Sequence, residues 1–250
     1  MIALVTGATA GFGEAIARRF VKEGAKVIAA GRRGERLTKL QQALGPKNLH
    51  TLTLDVRDRK AVERAIQQLP AELAAIDVLV NNAGLALGLE PAHRVILDEW
   101  ETMVDTNIKG VLYLTRAVLP GMVERNRGHV VNISSVAGNW PYPGGNVYGG
   151  SKAFVQQFSR NLRCDLQGTA IRVTDIAPGM VAGTEFAPVR FRGDTARAEK
   201  NYEGADPLLP EDIAETVYWA VSQPPRVNIN AIEIMPVCQS WSAMTIYRKK

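Results

Sequence analysis

Cysteine and histidine are scarce in this 250-residue chain, which holds two of the first and three of the second. Cys164 and Cys238 have no second type of metal ligand at a recognisable spacing, so both read as ordinary reduced thiols, and neither a disulfide framework nor a zinc site is expected. His50, His93 and His129 are scattered and read as structural or surface residues. No apolar run approaches the roughly 18 residues that a membrane-spanning helix needs, and Met1 leads into a strand-like run instead of a basic leader. A soluble, cytoplasmic protein with no membrane partner is the expectation. No low-complexity or Pro/Gly-rich linker divides the sequence, and with 46% hydrophobic residues it can bury a substantial core as one domain over 1–250.

Charge of one sign is not concentrated either. Thirty Lys and Arg stand against 25 Asp and Glu, a net +5, and the cations are spread along the chain. This disfavours nucleic acid as a partner and suits a basic enzyme handling small anionic ligands.

What is present is an alternation of short β-rich runs with helix-length amphipathic segments. Ile2 to Thr6, Lys26 to Ala30, Leu49 to Leu54 and Asp77 to Asn81 read as four strands, with helices starting near Phe12, Glu35 and Arg59. His129 to Ser134, Ala170 to Ile176 and Asn230 to Met235 add three, separated by long helical stretches around Trp100 to Arg125 and Tyr148 to Gln167. Such alternation generates an α/β Rossmann fold, here a seven-stranded parallel sheet with helices on both faces. Between Gly179 and Leu209 the periodicity lapses, and a loop that long inside a compact domain is usually functional; residues 180–209 read as a substrate lid.

The first strand runs into Thr6-Gly7-Ala8-Thr9-Ala10-Gly11-Phe12-Gly13, directly followed by a helix with Ile16, Ala17 and Phe20 on one face. Strand, glycine turn and helix form the setting of a dinucleotide site, where a side chain would block backbone N–H groups from the pyrophosphate. Gly7, Ala8, Thr9, Ala10, Gly11, Phe12 and Gly13 are therefore candidate cofactor residues. The second strand ends at Gly31-Arg32-Arg33, where an NAD-specific site would carry an acid. A carboxylate repels a 2′-phosphate and guanidinium groups grip it, so Arg32 and Arg33 predict NADP. The blander alternative is that both arginines merely solvate the next helix.

Tyr148 and Lys152 are four residues apart on a predicted helix, so both project from one face. Carbonyl reduction needs a proton donor beside the oxygen that becomes an alkoxide, and the reverse oxidation needs a base there. A tyrosine serves both directions if a neighbouring ammonium favours its phenolate.

Taken with Asn81-Asn82-Ala83-Gly84, Asn107, Ser135 and Pro178-Gly179, these motifs resemble the short-chain dehydrogenase/reductase family over essentially the whole chain. The resemblance implies hydride transfer between NADP and a carbonyl or alcohol carbon. Tyr148 becomes the acid/base, and Lys152 supports it and binds the nicotinamide ribose. Ser135 holds the substrate oxygen, with the adjacent Ser134 as alternative, and Asn107 links the lysine to solvent. Asp55 and Val56 are assigned to the adenine, Asn82, Ala83 and Gly84 to its ribose side, and Pro178, Gly179, Val181 and Thr184 to the carboxamide and phosphates. Thr184 lies one residue beyond the commonest family spacing.

Within the family, Thr6 to Glu14, Leu85 to His93, Asn139 to Tyr148, Glu185 to Arg192 and Met235 to Ser240 are most similar to bacterial 3-hydroxy acid dehydrogenases. Those act on serine, allo-threonine, 3-hydroxyisobutyrate and small semialdehydes such as malonic semialdehyde. A substrate carboxylate in a water-poor pocket requires a cation, and Arg190 and Arg192 are the candidates, with Trp140 as a cavity wall. A ketone or 3-oxoacyl reductase, or a catalytically silent NADP-binding protein, stays open on the same residues. The family further implies a homotetramer, with the apolar tail, 236–250, packed on a neighbouring subunit.

Overall fold

A computed structural model describes residues 1–241 of the chain. The segment 242–250, which includes Met244, Ile246 and Tyr247 of the expected tail contact, lies outside the described residues. The strands are β1 (Ile2–Thr6), β2 (Lys26–Gly31), β3 (Leu49–Thr53), β4 (Val78–Asn81), β5 (Gly128–Ile133), β6 (Ile171–Pro178) and β7 (Ala231–Ile234). They form one sheet in the order β3-β2-β1-β4-β5-β6-β7, and each neighbouring pair is parallel. The seven parallel strands agree with the alternation in the sequence, each to within about two residues at its ends.

Two apolar layers explain why the sheet is buried on both sides. On one face α1 (Gly11–Lys22), α2 (Gly34–Leu44) and α9 (Pro210–Ser222) press Ile16, Phe20, Leu37, Ile213 and Val217 against Val5, Val27 and Val131. On the other, α3 (Arg59–Gln67), α5 (Gly110–Glu124) and α6 (Asn146–Asp165) press Val62, Leu114 and Leu162 against Leu4, Ile28, Leu79 and Val130. Strand residues therefore alternate between the layers, following the two-residue period of a strand.

The stretch read as one long helix is α4 (Leu97–Val104) continued into α5 through a single π-turn at Asp105–Lys109. That turn carries Asn107, and such insertions re-aim a side chain without ending the helix. The segment 180–209 is not purely irregular. It contains α7 (Phe186–Arg190), α8 (Thr195–Lys200) and a parallel bridge from Val181 to Leu208. Helices of five and six residues are too short to impress a 3.6-residue period on a sequence.

Candidate active site

Strand order reverses between β1 and β4, so the loops leaving their carboxyl ends run apart and open a crevice, the usual ligand position in such sheets. Thr6 and Asn82 hold its floor together. Asn82 N and Ala83 N each donate to Thr6 Oγ1 at 3.0 Å, and Asn82 Nδ2 donates to the Thr6 carbonyl at 2.8 Å. Above this floor lies a cavity of about 570 Å³.

One end of the cavity is built by the glycine turn. Gly7 and Gly11 have φ of +67° and +53°, a region that side chains disfavour. A Cβ on Gly13 would overlap the Gly7 carbonyl and come within 2.6 Å of Asn82 Nδ2. Helix α1 begins without a side-chain cap, leaving its first N–H groups facing the turn, as a pyrophosphate cradle requires. Gly7, Thr9, Ala10, Gly11 and Phe12 face the cavity, while Ala8 and Gly13 are buried beneath it.

Arg32, Arg33, Asp55, Val56, Asn82, Ala83 and Gly84 all line the same end. The two arginines differ. Arg33 donates to Thr9 Oγ1 through Nε and Nη2 at 3.1 and 2.8 Å, and its Nη1 meets Glu185 at 2.6 Å. Glu185 also binds Arg36 at 2.8 Å, so segment 180–209 is tied across the cleft to the start of α2. Asp55 accepts from Arg57 at 2.7 Å, and that guanidinium holds its carboxyl below the usual carboxylate range.

At the other end, the carboxyl end of β5, the N-terminal half of α6 and α7 converge. Tyr148 and Lys152 lie on one face of α6 and are buried, with Lys152 Nζ 5.8 Å from the Tyr148 ring centroid. Lys152 Nζ donates to the Ile133 carbonyl at 2.9 Å. Burial pushes the Tyr148 hydroxyl up to about 12, against the opposing pull of Ser135 and Arg190, and pushes Lys152 down to about 8. Ser135 starts a short turn, accepting from Ala137 N at 3.1 Å.

Asn107 stands one layer behind. It accepts from Leu85 N and donates to Leu85 O, both at 2.9 Å, and donates to Ser151 at 3.0 Å. A Cβ on Gly84 would lie 3.3 Å from both Asn107 Oδ1 and Lys152 Nζ, so glycine there lets the two groups share one corner.

Pro178, Gly179, Val181 and Thr184 also face the cavity. Despite its displaced spacing, Thr184 covers the glycine turn, its Cγ2 3.2 Å from where a Gly11 Cβ would be. Trp140 lines the mouth, 5.7 Å from Trp241 between ring centroids, and both indoles donate to Glu233.

The two candidate carboxylate partners part company. Arg190 lines the cavity, its guanidinium carbon 5.6 Å from the Tyr148 ring centroid, bonded to Tyr142 Oη at 2.8 Å and to the Gly88 carbonyl at 3.2 Å. It has no carboxylate partner among the described residues. Arg192 points away from the cavity and is neutralised by Glu99 at 2.6 Å and Glu90 at 3.0 Å. Arg192 follows the end of α7 with φ of +53°, so of the two candidates Arg190 is the one that faces the cavity.

Two acids escaped the sequence reading, Glu185 and Asp175. Asp175 stands inside the apolar run of β6, a position where strands rarely carry charge, and that isolation was the available signal.

A profile of the family described as short chain dehydrogenase matches residues 1–193. The chain is 64% identical over 248 residues to the NADP-dependent 3-hydroxy acid dehydrogenase YdfG of Salmonella typhi, covering 99% of this chain and 100% of that one. It is 61% identical over 249 residues to the protein of the same name in Escherichia coli (strain K12), with both chains fully covered. Among solved structures, the closed form of serine dehydrogenase complexed with NADP+ superimposes with a TM-score of 0.98, at 61% identity and full coverage of both chains.

Proposed function

The chain belongs to the short-chain dehydrogenase family, and from that premise we propose that it is an NADP-dependent oxidoreductase acting on the hydroxyl-bearing carbon of small 3-hydroxy acids, serine among them, or on the matching semialdehydes. The observation that carries the substrate class is Arg190, a cation without a carboxylate partner among the described residues, set beside the Tyr148 ring inside the cavity. The relatives named above are an NADP-dependent 3-hydroxy acid dehydrogenase and a serine dehydrogenase complexed with NADP+.

The protein's groups divide the work. The glycine turn and the uncapped start of α1 hold the pyrophosphate, Arg32 and Arg33 the 2′-phosphate, and Asp55, Val56, Asn82, Ala83 and Gly84 the adenosine. Pro178, Gly179, Val181 and Thr184 border the carboxamide and the phosphates, with Thr184 over the glycine turn. Bound NADP supplies or accepts the hydride. Ser135 holds the substrate oxygen. Tyr148 takes the hydroxyl proton in oxidation and returns it in reduction, because a phenol works in both directions once an ammonium stabilises its anion. Lys152 is that ammonium, and Asn107 links its corner of the site to Leu85 and Ser151. Arg190 pairs with the substrate carboxylate, which fixes the carbon to be oxidised relative to Tyr148. Trp140 limits the size of what enters, and the segment 180–209 acts as a lid that excludes water.

No helix among the described residues is long and apolar enough to cross a membrane. A cytoplasmic setting is supported by two free cysteines. We assign a homotetramer on the family resemblance; a monomer in light scattering would reject it.

The substrate assignment is tested by following NADPH absorbance across 3-hydroxy acids, neutral alcohols and acyl thioesters, with Arg190→Met alongside. The variant is expected to raise KM for the acids by roughly 10-fold to 100-fold and to spare neutral alcohols. Equal losses on both would reject carboxylate recognition, and a preference for thioesters would make the protein a 3-oxoacyl reductase.

A further inference from the structure

Directly behind the reacting pair lies a carboxylate that the mechanism has not used. Asp175 is 5% exposed and does not line the cavity. Its Oδ2 accepts from Ser134 Oγ at 2.9 Å, while Oδ1 has no hydrogen-bond partner among the described residues. Strand register explains its position. β5 and β6 pair Asn132 with Asp175 and Ile133 with Ile176, and the Ile133 carbonyl is the one that anchors Lys152. Asn132, the register neighbour of Asp175, donates to Ser159 of α6, so Asp175 lies on the sheet face that α6 covers, the face from which Lys152 reaches the Ile133 carbonyl.

We propose that Asp175 is a positioning residue for the reaction: a buried negative charge, one layer behind the cavity wall, that keeps Lys152 an ammonium and through it holds Tyr148 ready to give up its proton. The proposal rests on the assignment of Tyr148 and Lys152 made above.

A buried ammonium is expensive to keep charged, and one hydrogen bond among the described residues, to Ile133, is weak compensation. Burial lowers Lys152, and Asp175 is the group that opposes the fall. In return, burial raises Asp175 to about 6, while Ser134, Lys152 and Arg160 pull it back. The groups acting on Asp175 are thus Lys152 and Arg160 from α6 and Ser134 just beyond β5. The β7 side offers backbone, Asp175 N donating to the Asn230 carbonyl at 3.0 Å. Asp175 does not touch Tyr148; the geometric link between them is Lys152, whose Nζ lies 5.8 Å from the Tyr148 ring centroid. This fixes the sign: removing the negative charge discharges Lys152 at lower pH, and the phenolate of Tyr148 then forms only at higher pH.

A raised carboxyl pKa also means that ionised Asp175 costs stability. Its folded value lies above the ordinary 3.8, so its favourable contribution is complete below that value and is lost as pH rises through about 6. A purely structural aspartate should stabilise the fold at neutral pH; this one should not.

The test is Asp175→Asn in the full enzyme, with the pH profile of kcat/KM for hydroxy-acid oxidation, the phenolate absorbance of Tyr148 defined by subtraction of Tyr148→Phe, and Tm. The acid limb and the phenolate titration are expected to move up by about one pH unit, a roughly tenfold loss of rate below the limb, with Tm at neutral pH unchanged or higher. An unmoved limb with a pH-independent loss of rate would overturn the proposal, as would a lowered Tm with no shift. Should the variant fail to fold, Ser134→Ala serves, because loss of its hydrogen bond makes Asp175 easier to protonate; a limb moved upward supports the proposal and an unmoved one rejects it. If Tyr148→Phe retains activity, the site assignment itself fails, whereas an inactive Tyr148→Phe with an unmoved Asp175→Asn limb removes only the role of Asp175.

Discussion

Strand β5 carries buried polar groups at both ends, and the ends have opposite fates. Near its start, His129 is 1% exposed, its Nε2 lies 2.7 Å from Thr174 Oγ1, and its Nδ1 has no partner among the described residues. Burial, assisted by the charge of Arg172, pushes that imidazole down to about 3. Beyond its finish, Ser134, Ser135, Lys152 and Asp175 are buried, and the pKa values of the lysine and the acid are displaced as well, to about 8 and about 6. Burial and a displaced pKa therefore do not distinguish a site from a sealed core. The difference is access. His129 is enclosed between β4 and β6, whereas the carboxyl end opens onto the crevice created by the reversal of strand order, where side chains from β5, α6 and α7 meet.

The largest effect that sharpens this contrast is at Tyr148. Tyr148→Phe keeps the ring and its packing on Phe186 at 5.6 Å and deletes only the hydroxyl. Loss of a positioned acid/base is expected to lower kcat by about 10²–10⁴-fold, with Tm little changed. Stopped turnover accompanied by unfolding would mean that the carboxyl end is structural too. In the wild type, the pKa raised by burial places oxidation on a rate that climbs with pH toward the alkaline side, while reduction, which needs the protonated phenol, holds through neutrality.

At the sealed end the expectation is a stability effect without a kinetic one. The folded pKa of His129 is depressed from 6.5 to about 3, so the unfolded chain binds the extra proton. Its contribution is complete above pH 6.5 and is lost as pH falls toward about 3, amounting to about 5 kcal/mol over that window. His129→Gln should flatten this acid slope in urea midpoints measured at neutral pH and midway through the window, and leave kcat/KM at neutral pH as it was. An altered KM for substrate or cofactor would break the comparison.

The same contrast explains what the sequence made legible. The strands were readable because short β-rich runs alternate with helix-length amphipathic segments, and the glycine turn because Gly7 and Gly11 adopt positive φ that few other residues tolerate. Tyr148 and Lys152 were readable because four residues is one helical turn. What escaped depends on register and on which way a short turn faces. Asp175 approaches Lys152 only because β5 and β6 align Asn132 with Asp175. Glu185 reaches Arg33 and Arg36 across some 150 residues of chain, and no local spacing encodes that. The chemistry at Tyr148 is a local pattern, whereas the charge environment that tunes it is a product of the assembled sheet.

The smallest expected effect tests whether proximity alone makes an arginine functional. Arg192 is two residues from Arg190, with a side chain 44% exposed and paired with Glu90 and Glu99. It holds the Glu90 carboxyl below the ordinary range, but an ion pair this exposed gains little from Coulomb attraction in high dielectric and loses side-chain entropy. Arg192→Met is therefore expected to change stability by less than about 1 kcal/mol and to leave KM for hydroxy acids within about twofold, in contrast to Arg190→Met. Raising the ionic strength should erase even the stability difference, because salt screens charges that solvent already reaches. A KM effect matching that of Arg190, persisting in high salt, would put Arg192 in a desolvated pocket with the substrate, and the division between cavity and surface drawn from its two carboxylate partners would fall.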